Sequence, residues 1–170
     1  GMTYLGILLK LGGTTFTKAH LTEVRAYLGS KMFWQISGTD LDKINKQYKL
    51  ANDAAYLLIP FYTPNARTLG GEMIGAVDTS IHSSFGLEFD IGAATAPTLE
   101  AYALWAPPKA ANDPFKATVK AMLRASHSLA SASEHDLKIP LGSKNGGLIK
   151  AIHLTHTNIP TDARILRELK

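Results

Sequence analysis

The stretch Phe85-Gly86-Leu87-Glu88-Phe89-Asp90-Ile91 decides the fold class. Its large apolar residues recur at every second position, and the residues between them are Gly, Glu and Asp. Successive side chains on a strand face opposite sides of the sheet, so this pattern predicts a half-buried antiparallel strand with Phe85, Leu87, Phe89 and Ile91 inward. The same period appears upstream in Leu5, Ile7, Leu9 and Leu11, which end at the turn pair Gly12-Gly13. It recurs in Met32, Trp34 and Ile36, and in Leu57, Ile59 and Phe61. Downstream it recurs in Leu99, Ala101, Ala103 and Trp105, ahead of Pro107-Pro108, and in Leu137, Ile139 and Leu141. Residues 148–157 follow the turn Asn145-Gly146-Gly147. Weaker strand candidates are 22–28, 72–77, 126–131 and 163–169. About ten short strands bounded by Gly, Pro, Asn and Ser are the signature of a sandwich or barrel, not of a βαβ sheet.

Helices interrupt this pattern. Thr39 or Asp40 can cap one in which Leu41, Ile44, Tyr48 and Ala51 share a face and Lys43, Lys46 and Lys49 point outward, ending at Asn52-Asp53. A second is expected over 114–124, with Asn112 or Asp113 as cap, Pro114 in the first turn, and Phe115, Val119, Met122 and Leu123 on one face. Thr118 to Leu123 also reads as strand. The expectation is an all-β sandwich with one or two short helical insertions.

Composition narrows the function classes. The chain has 170 residues, of which 45% are hydrophobic and 19% charged, which excludes a disordered chain. No apolar run approaches the ~20 residues of a membrane-spanning helix. There is no cysteine, so disulfide scaffolds and thiolate metal sites are excluded. The formal charge is +4, but the bases are scattered; Lys116, Lys120 and Arg124 form one group and Arg164, Arg167 and Lys170 another. Nucleic-acid binding needs a focused patch, so no sequence-specific nucleic acid is expected. Gly1 before Met2 reads as a tag remnant.

Several constellations contain residues capable of chemistry. His153 and His156 are three apart on an expected strand and face opposite sides; His127 and His135 flank an expected hairpin. Glu88 and Asp90 share one strand face, where they serve as its solvent side or as a calcium or acid–base pair. Asp78, His82 and Ser84 are the residue types of a hydrolase triad, but all fall within one loop and no nucleophile elbow accompanies them. Gly12-Gly13-Thr14-Thr15 and Gly70-Gly71-Glu72-Met73-Ile74-Gly75 match neither phosphate-loop nor dinucleotide spacing and read as turns. Trp34 and Trp105, with Tyr4, Tyr27 and Tyr102, could line a sugar platform, yet both tryptophans sit on apolar stripes and are expected in the core. No catalytic, cofactor or metal residue is therefore expected, and the chain is not expected to be an enzyme.

Five segments read together point further. They are Leu11-Gly12-Gly13-Thr14-Thr15-Phe16-Thr17-Lys18-Ala19, Thr39-Asp40-Leu41-Asp42-Lys43-Ile44-Asn45 and Leu58-Ile59-Pro60-Phe61. The others are residues 87–99, Leu-Glu-Phe-Asp-Ile-Gly-Ala-Ala-Thr-Ala-Pro-Thr-Leu, and residues 146–154, Gly-Gly-Leu-Ile-Lys-Ala-Ile-His-Leu. In order and spacing they resemble the N-terminal domain of the major coat protein of tail-less, membrane-containing phages of the corticovirus type, over roughly residues 3–168. The resemblance implies an eight-stranded jelly-roll β-sandwich spanning residues 1–170, the N-terminal half of a two-domain coat protein of phage or prophage. It implies a homotrimer with itself, contacts to neighbouring capsomers, proximity to an internal viral membrane, and a place in the virion after synthesis in the bacterial host cytoplasm. Contacts are expected in the loops 64–71, 79–84 and 106–113. The alternatives are a β-sandwich carbohydrate-binding or adhesin module and a hydrolase. The coding sequence beyond Lys170 tests the two-domain expectation: a second run of short alternating strands should follow directly.

Overall fold

The computed structural model describes residues 1–50, 53–124 and 149–153. The chain divides into two compact units, Gly1–Ala130 and Ser131–Lys170. In the second, the described residues 149–153 carry no regular secondary structure, and Ile149 and Ile152 are exposed. The expected strands 126–131, 137–141 and 163–169, most of 148–157, and His127, His135 and His156 lie outside the described residues.

The first unit holds seven described strands and two short helices. The strands are β1 (Thr3–Gly12), β2 (Leu21–Leu28), β3 (Lys31–Ile36), β4 (Tyr56–Pro60), β5 (Val77–Asp78), β6 (Phe85–Ile91) and β7 (Thr98–Ala106); the helices are α1 (Gly38–Gln47) and α2 (Leu69–Met73). Every strand pair is antiparallel. In one sheet β1 is the spine, with β7 along one edge and β4 and β5 end to end along the other. The second sheet runs β3-β2-β6. The inner faces of both meet in one core, so the described part is a two-sheet β-sandwich. The seven strands stop short of the eight expected.

Apolar side chains alternate into that core from Ile7, Leu9, Leu11, Val24, Ala26, Leu57 and Ile59. Aromatic rings fill its centre. Phe61 is fully buried and meets Trp34 edge-on at 5.5 Å, Phe85 edge-on at 5.7 Å and Phe33 at 5.7 Å. Edge-to-face geometry sets the positive rim of one ring against the negative face of another. Two bulges aim these rings. In β1 the ladder slips between Tyr4 and Gly6, which takes Leu5 off its expected stripe. The Leu5 carbonyl then accepts both Phe61 N–H and Tyr62 N–H at 2.9 Å. In β3 the ladder slips at Phe33, so Phe33 and Trp34 are both buried while Met32 leaves the stripe.

Three further expectations are corrected. Ser37, not Thr39 or Asp40, caps α1 by accepting the Asp40 N–H, and the helix ends at Gln47. Residues 114–124 are not a helix: 114–117 form turns, and Met122 makes a parallel bridge to Trp34 on the free edge of β3. The two hydrogen bonds to Phe33 and Gln35 outcompete a helix whose apolar face would have needed a separate groove. The stretch 72–77, expected as strand, is mostly the end of α2 and a turn, because Thr68 caps a helical turn by accepting the Gly71 N–H.

The connection from β6 to β7 crosses between the sheets at a close contact. Gly13 has φ +107, and a Cβ there would lie 2.1 Å from the Ala96 carbonyl oxygen, so only glycine fits.

Phe61→Ala is expected to cost about 3–5 kcal/mol, because it removes a ring touching both sheets and leaves a cavity. Urea unfolding of the two proteins checks this; a loss under roughly 0.5 kcal/mol, the size of a surface substitution, would remove Phe61 from the centre of the fold.

Candidate functional site

Glu88 and Asp90 lie on the outer face of the β3-β2-β6 sheet, as the alternation predicts. They are not an open pair. The Arg25 guanidinium stands between them, giving two hydrogen bonds to Asp90 at 2.7 and 2.8 Å and one to Glu88 at 3.3 Å. It also pairs with Glu23, whose other oxygen accepts from Gln35 at 2.6 Å. The Arg25 hydrogen bonds hold the Asp90 carboxyl below the usual aspartate range. The cation that the carboxylates bind is thus supplied by the chain itself. A shallow groove of about 410 Å³ lies beside this cluster, lined by Tyr27, Gly29, Ser30 and residues 84–88.

The triad residues do not meet as a triad. Asp78 is fully buried; one oxygen accepts from Ser80 N–H at 2.9 Å and the other from Lys109 N–H at 3.0 Å. His82 is half-buried, and its Nε2 has no hydrogen-bond partner among the described residues. Ser84 is exposed, with its carbonyl accepting from Gly29 N–H. Lys109 went unnoticed in the sequence. It is buried, and its ammonium donates to the Phe115 carbonyl at 2.9 Å and the Ile74 carbonyl at 3.3 Å. Lys116 donates to the Lys109 carbonyl at 3.0 Å and lies 3.8 Å from Asp78. Two of the three expected contact loops, 79–84 and 106–113, are thereby fastened to each other, and Ile74 ties both to the end of α2. A lysine three residues after β7 carried no periodic signal that could have revealed this.

The basic group is spent internally too. Lys120 sits 5.4 Å over the Trp34 ring and donates to the Tyr62 carbonyl at 2.9 Å. Of Lys116, Lys120 and Arg124, Arg124 is the exposed one.

The tryptophans part company. Trp34 is fully buried, as expected, but Trp105 is 57% exposed, which corrects its placement in the core. Trp105 sits near the end of β7, opposite Tyr4. Among the described residues β7 pairs with β1 alone, and Trp105 lies toward the end of this edge strand. Tyr102 is also exposed and donates to Glu100, which pairs with Lys10 at 3.1 Å. Three positions separate Tyr102 from Trp105, so they face opposite sides of β7 and form no continuous aromatic row. Tyr4 stacks on Phe85 at 5.2 Å, bridging the sheets rather than facing a ligand.

Residues 1–106 match the family model of the viral coat protein P2 N-terminal domain. Among solved structures, the chain is similar to the crystal structure of the major capsid protein P2 from Bacteriophage PM2, at 26% sequence identity and a TM-score of 0.57. That similarity covers 63% of this chain and 42% of the other, so the chain spans less than half the length of its structural relative. No curated protein matches.

Asp78 lies inside the matched residues, and Lys109 and Lys116 lie beyond them. Burial pushes the Asp78 carboxyl up, but hydrogen bonds from Ser80 and Lys109 and the Lys116 charge outweigh it and hold the group below its usual value. A lowered carboxyl stabilises the fold above the unfolded pKa near ~3.9, and that contribution is lost as pH falls through the folded value. Asp78→Asn is expected to cost roughly 1–3 kcal/mol at pH 7, with a smaller deficit at pH 2–3. Urea unfolding at both pH values checks this; an equal deficit at both would refute the charge-based account.

Proposed function

The chain belongs to the viral coat protein P2 N-terminal domain family, and on that premise we propose that it is the N-terminal jelly roll of a phage or prophage major coat protein. Its role is structural. The protein assembles with copies of itself into trimeric capsomers, which meet neighbouring capsomers in a virion over an internal membrane. The protein would be made in the bacterial host cytoplasm and would end in the virion. The observation that carries this reading is the family match over residues 1–106, which contain all seven described strands. The two-sheet sandwich and the likeness to a phage capsid protein support it.

The described chemistry supports a structural role as well. Arg25, Asp78, Lys109 and Lys116 have their hydrogen bonds directed to partners within the fold. An assembling domain needs loops held in fixed positions, since ordering them on contact costs affinity. The Asp78–Lys109–Lys116 network holds loops 79–84 and 106–113 in that way, and Ile81 and Phe115 stand exposed on or beside them. Closed rings join unlike patches of successive subunits, and these loops suit such a contact. The carbohydrate-binding alternative is weakened by Trp105 and Tyr102 facing opposite sides of β7.

The test is direct. Particles are purified from a host culture carrying the gene, and their proteins are identified by mass spectrometry and native mass measurement. Peptides from residues 1–106 are expected in a dominant particle protein that runs as a trimer. Particles lacking this chain would overturn the coat reading.

A further inference from the structure

Residues 107–118 lie across one end of the sheet built on β1. There Thr3 of β1 stands between Asp78 of β5 and Ala106 of β7. Val77 belongs to the core, so its neighbour Asp78 faces outward, and Thr3, directly opposite Asp78, shares that face. Both point away from the core, yet both are fully buried. Residues 107–118 supply cover. The Lys109 N–H donates to the Asp78 carboxylate at 3.0 Å, and the Lys116 ammonium lies 3.8 Å from it.

This cover has no apolar underside. Within 107–118 Lys109 is the one buried residue, while three prolines, three alanines and Phe115 are exposed. The backbone bonds from Asp113 N–H to Ala110, Lys116 N–H to Asp113 and Thr118 N–H to Phe115 are turns closed inside the segment. Its ties to the sandwich are polar: Lys109 and Lys116 reach Asp78, and the Lys109 ammonium donates to the Ile74 carbonyl at 3.3 Å. Closure also has costs. The Thr3 Oγ1 is buried without a hydrogen-bond partner among the described residues, and the Lys109 ammonium is withdrawn from water. The flanks differ. β7 precedes the segment in the sheet, and Val119 and Met122 after it pack against the core.

We propose that residues 107–118 form a strap that opens and shuts over Thr3 and Asp78 while the sandwich stays folded, with Lys109 as its latch. A segment that buries little apolar surface opens locally, at a free energy well below that of global unfolding. Opening breaks the bonds from Lys109 to Asp78 and Ile74 and gives Thr3, Asp78 and the ammonium back to water. It leaves the core contacts of Val119 and Met122 in place, so both ends of the strap stay attached. Removing the Lys109 ammonium tips the balance toward the open form, because the Ile74 carbonyl then loses its donor. Phe115 rides on the strap, and loop 79–84 loses its tie when the strap lifts. The latch therefore sets whether these two loops are held in place.

The full chain has no cysteine, so a single introduced thiol reports opening. Thr3→Cys places it under the strap, and Val24→Cys places it in the fully buried core between the sheets. Each is labelled with a disulfide reagent under native conditions, and its rate is divided by that of the same chain unfolded in urea. Thr3→Cys is expected to label roughly tenfold or more faster than Val24→Cys, since it needs only local opening. Lys109→Met keeps the stem and the backbone N–H but removes the ammonium; Lys109→Gln serves if Met impairs folding. Either is expected to speed labelling of Thr3→Cys by roughly fivefold or more and to leave Val24→Cys within about twofold. Equal rates at the two thiols overturn the proposal, because the strap would then open only with the whole fold. A Thr3→Cys rate that the Lys109 variant leaves unmoved also overturns it, since fraying of the first residues would give that result. So does an equal acceleration at both thiols, which marks Lys109 as a general stabiliser and not a latch.

Discussion

Everything described in the sandwich turns on where the Phe61 ring sits. It lies just past the end of β4, and it touches Phe33 and Trp34 from β3 and Phe85 from β6. A side chain from one sheet is thus packed among aromatic rings of the other. Its backbone is equally committed. Phe61 N–H reaches the bulged Leu5 carbonyl, and a Cβ at Gly75 would come within 2.7 Å of the Phe61 carbonyl oxygen. The β1 bulge, the approach of Gly75, and the Lys120 segment bonded to Gly75 all follow from holding one ring between two sheets. Interiors are packed as densely as crystals, so a ring of that size fixes its neighbours.

The polar groups work to a second constraint. The strands supply the core, and Val119 and Met122 from the segment after β7 pack against it. The loop that opens that segment is fastened by hydrogen bonds and charge. Lys109 reaches two backbone carbonyls, its own N–H satisfies Asp78, and Lys116 completes the contact. Burial lowers the Lys109 pKa, the cost of taking an ammonium from water, and carbonyl acceptors offset part of it. On the outer face Arg25 does the same for three carboxylates. These groups resemble catalytic or metal-binding sets in sequence because both need clustered charge. What distinguishes them is that each charge already has its counter-charge or acceptor inside the fold.

The division between sequence and tertiary structure runs along the range of the interactions. Strand alternation is local, so Ile7, Leu9, Leu11, Leu57, Ile59 and the Phe85–Phe89 stripe were legible, as were the two-sheet class and the apolar face of α1. The order of motifs carried the coat-family resemblance for the same reason: it is a one-dimensional property. Bulges at Leu5 and Phe33 were not legible, because an extra residue is accepted only when a partner strand and a core cavity are present to receive it. The 114–124 segment has helical spacing, but the free edge of β3 offered hydrogen bonds that spacing cannot register. Trp105 sits on an apolar stripe, yet it is exposed near the end of an edge strand, and alternation does not register what covers a position. Asp78, His82 and Ser84 were near neighbours in sequence, and only the fold could give Asp78 to Lys109, 31 positions away. Sequence alone determined which residues alternate and hence the class and family; the tertiary structure decided the partner of each charge and ring, because those pairings join residues that the chain itself keeps far apart.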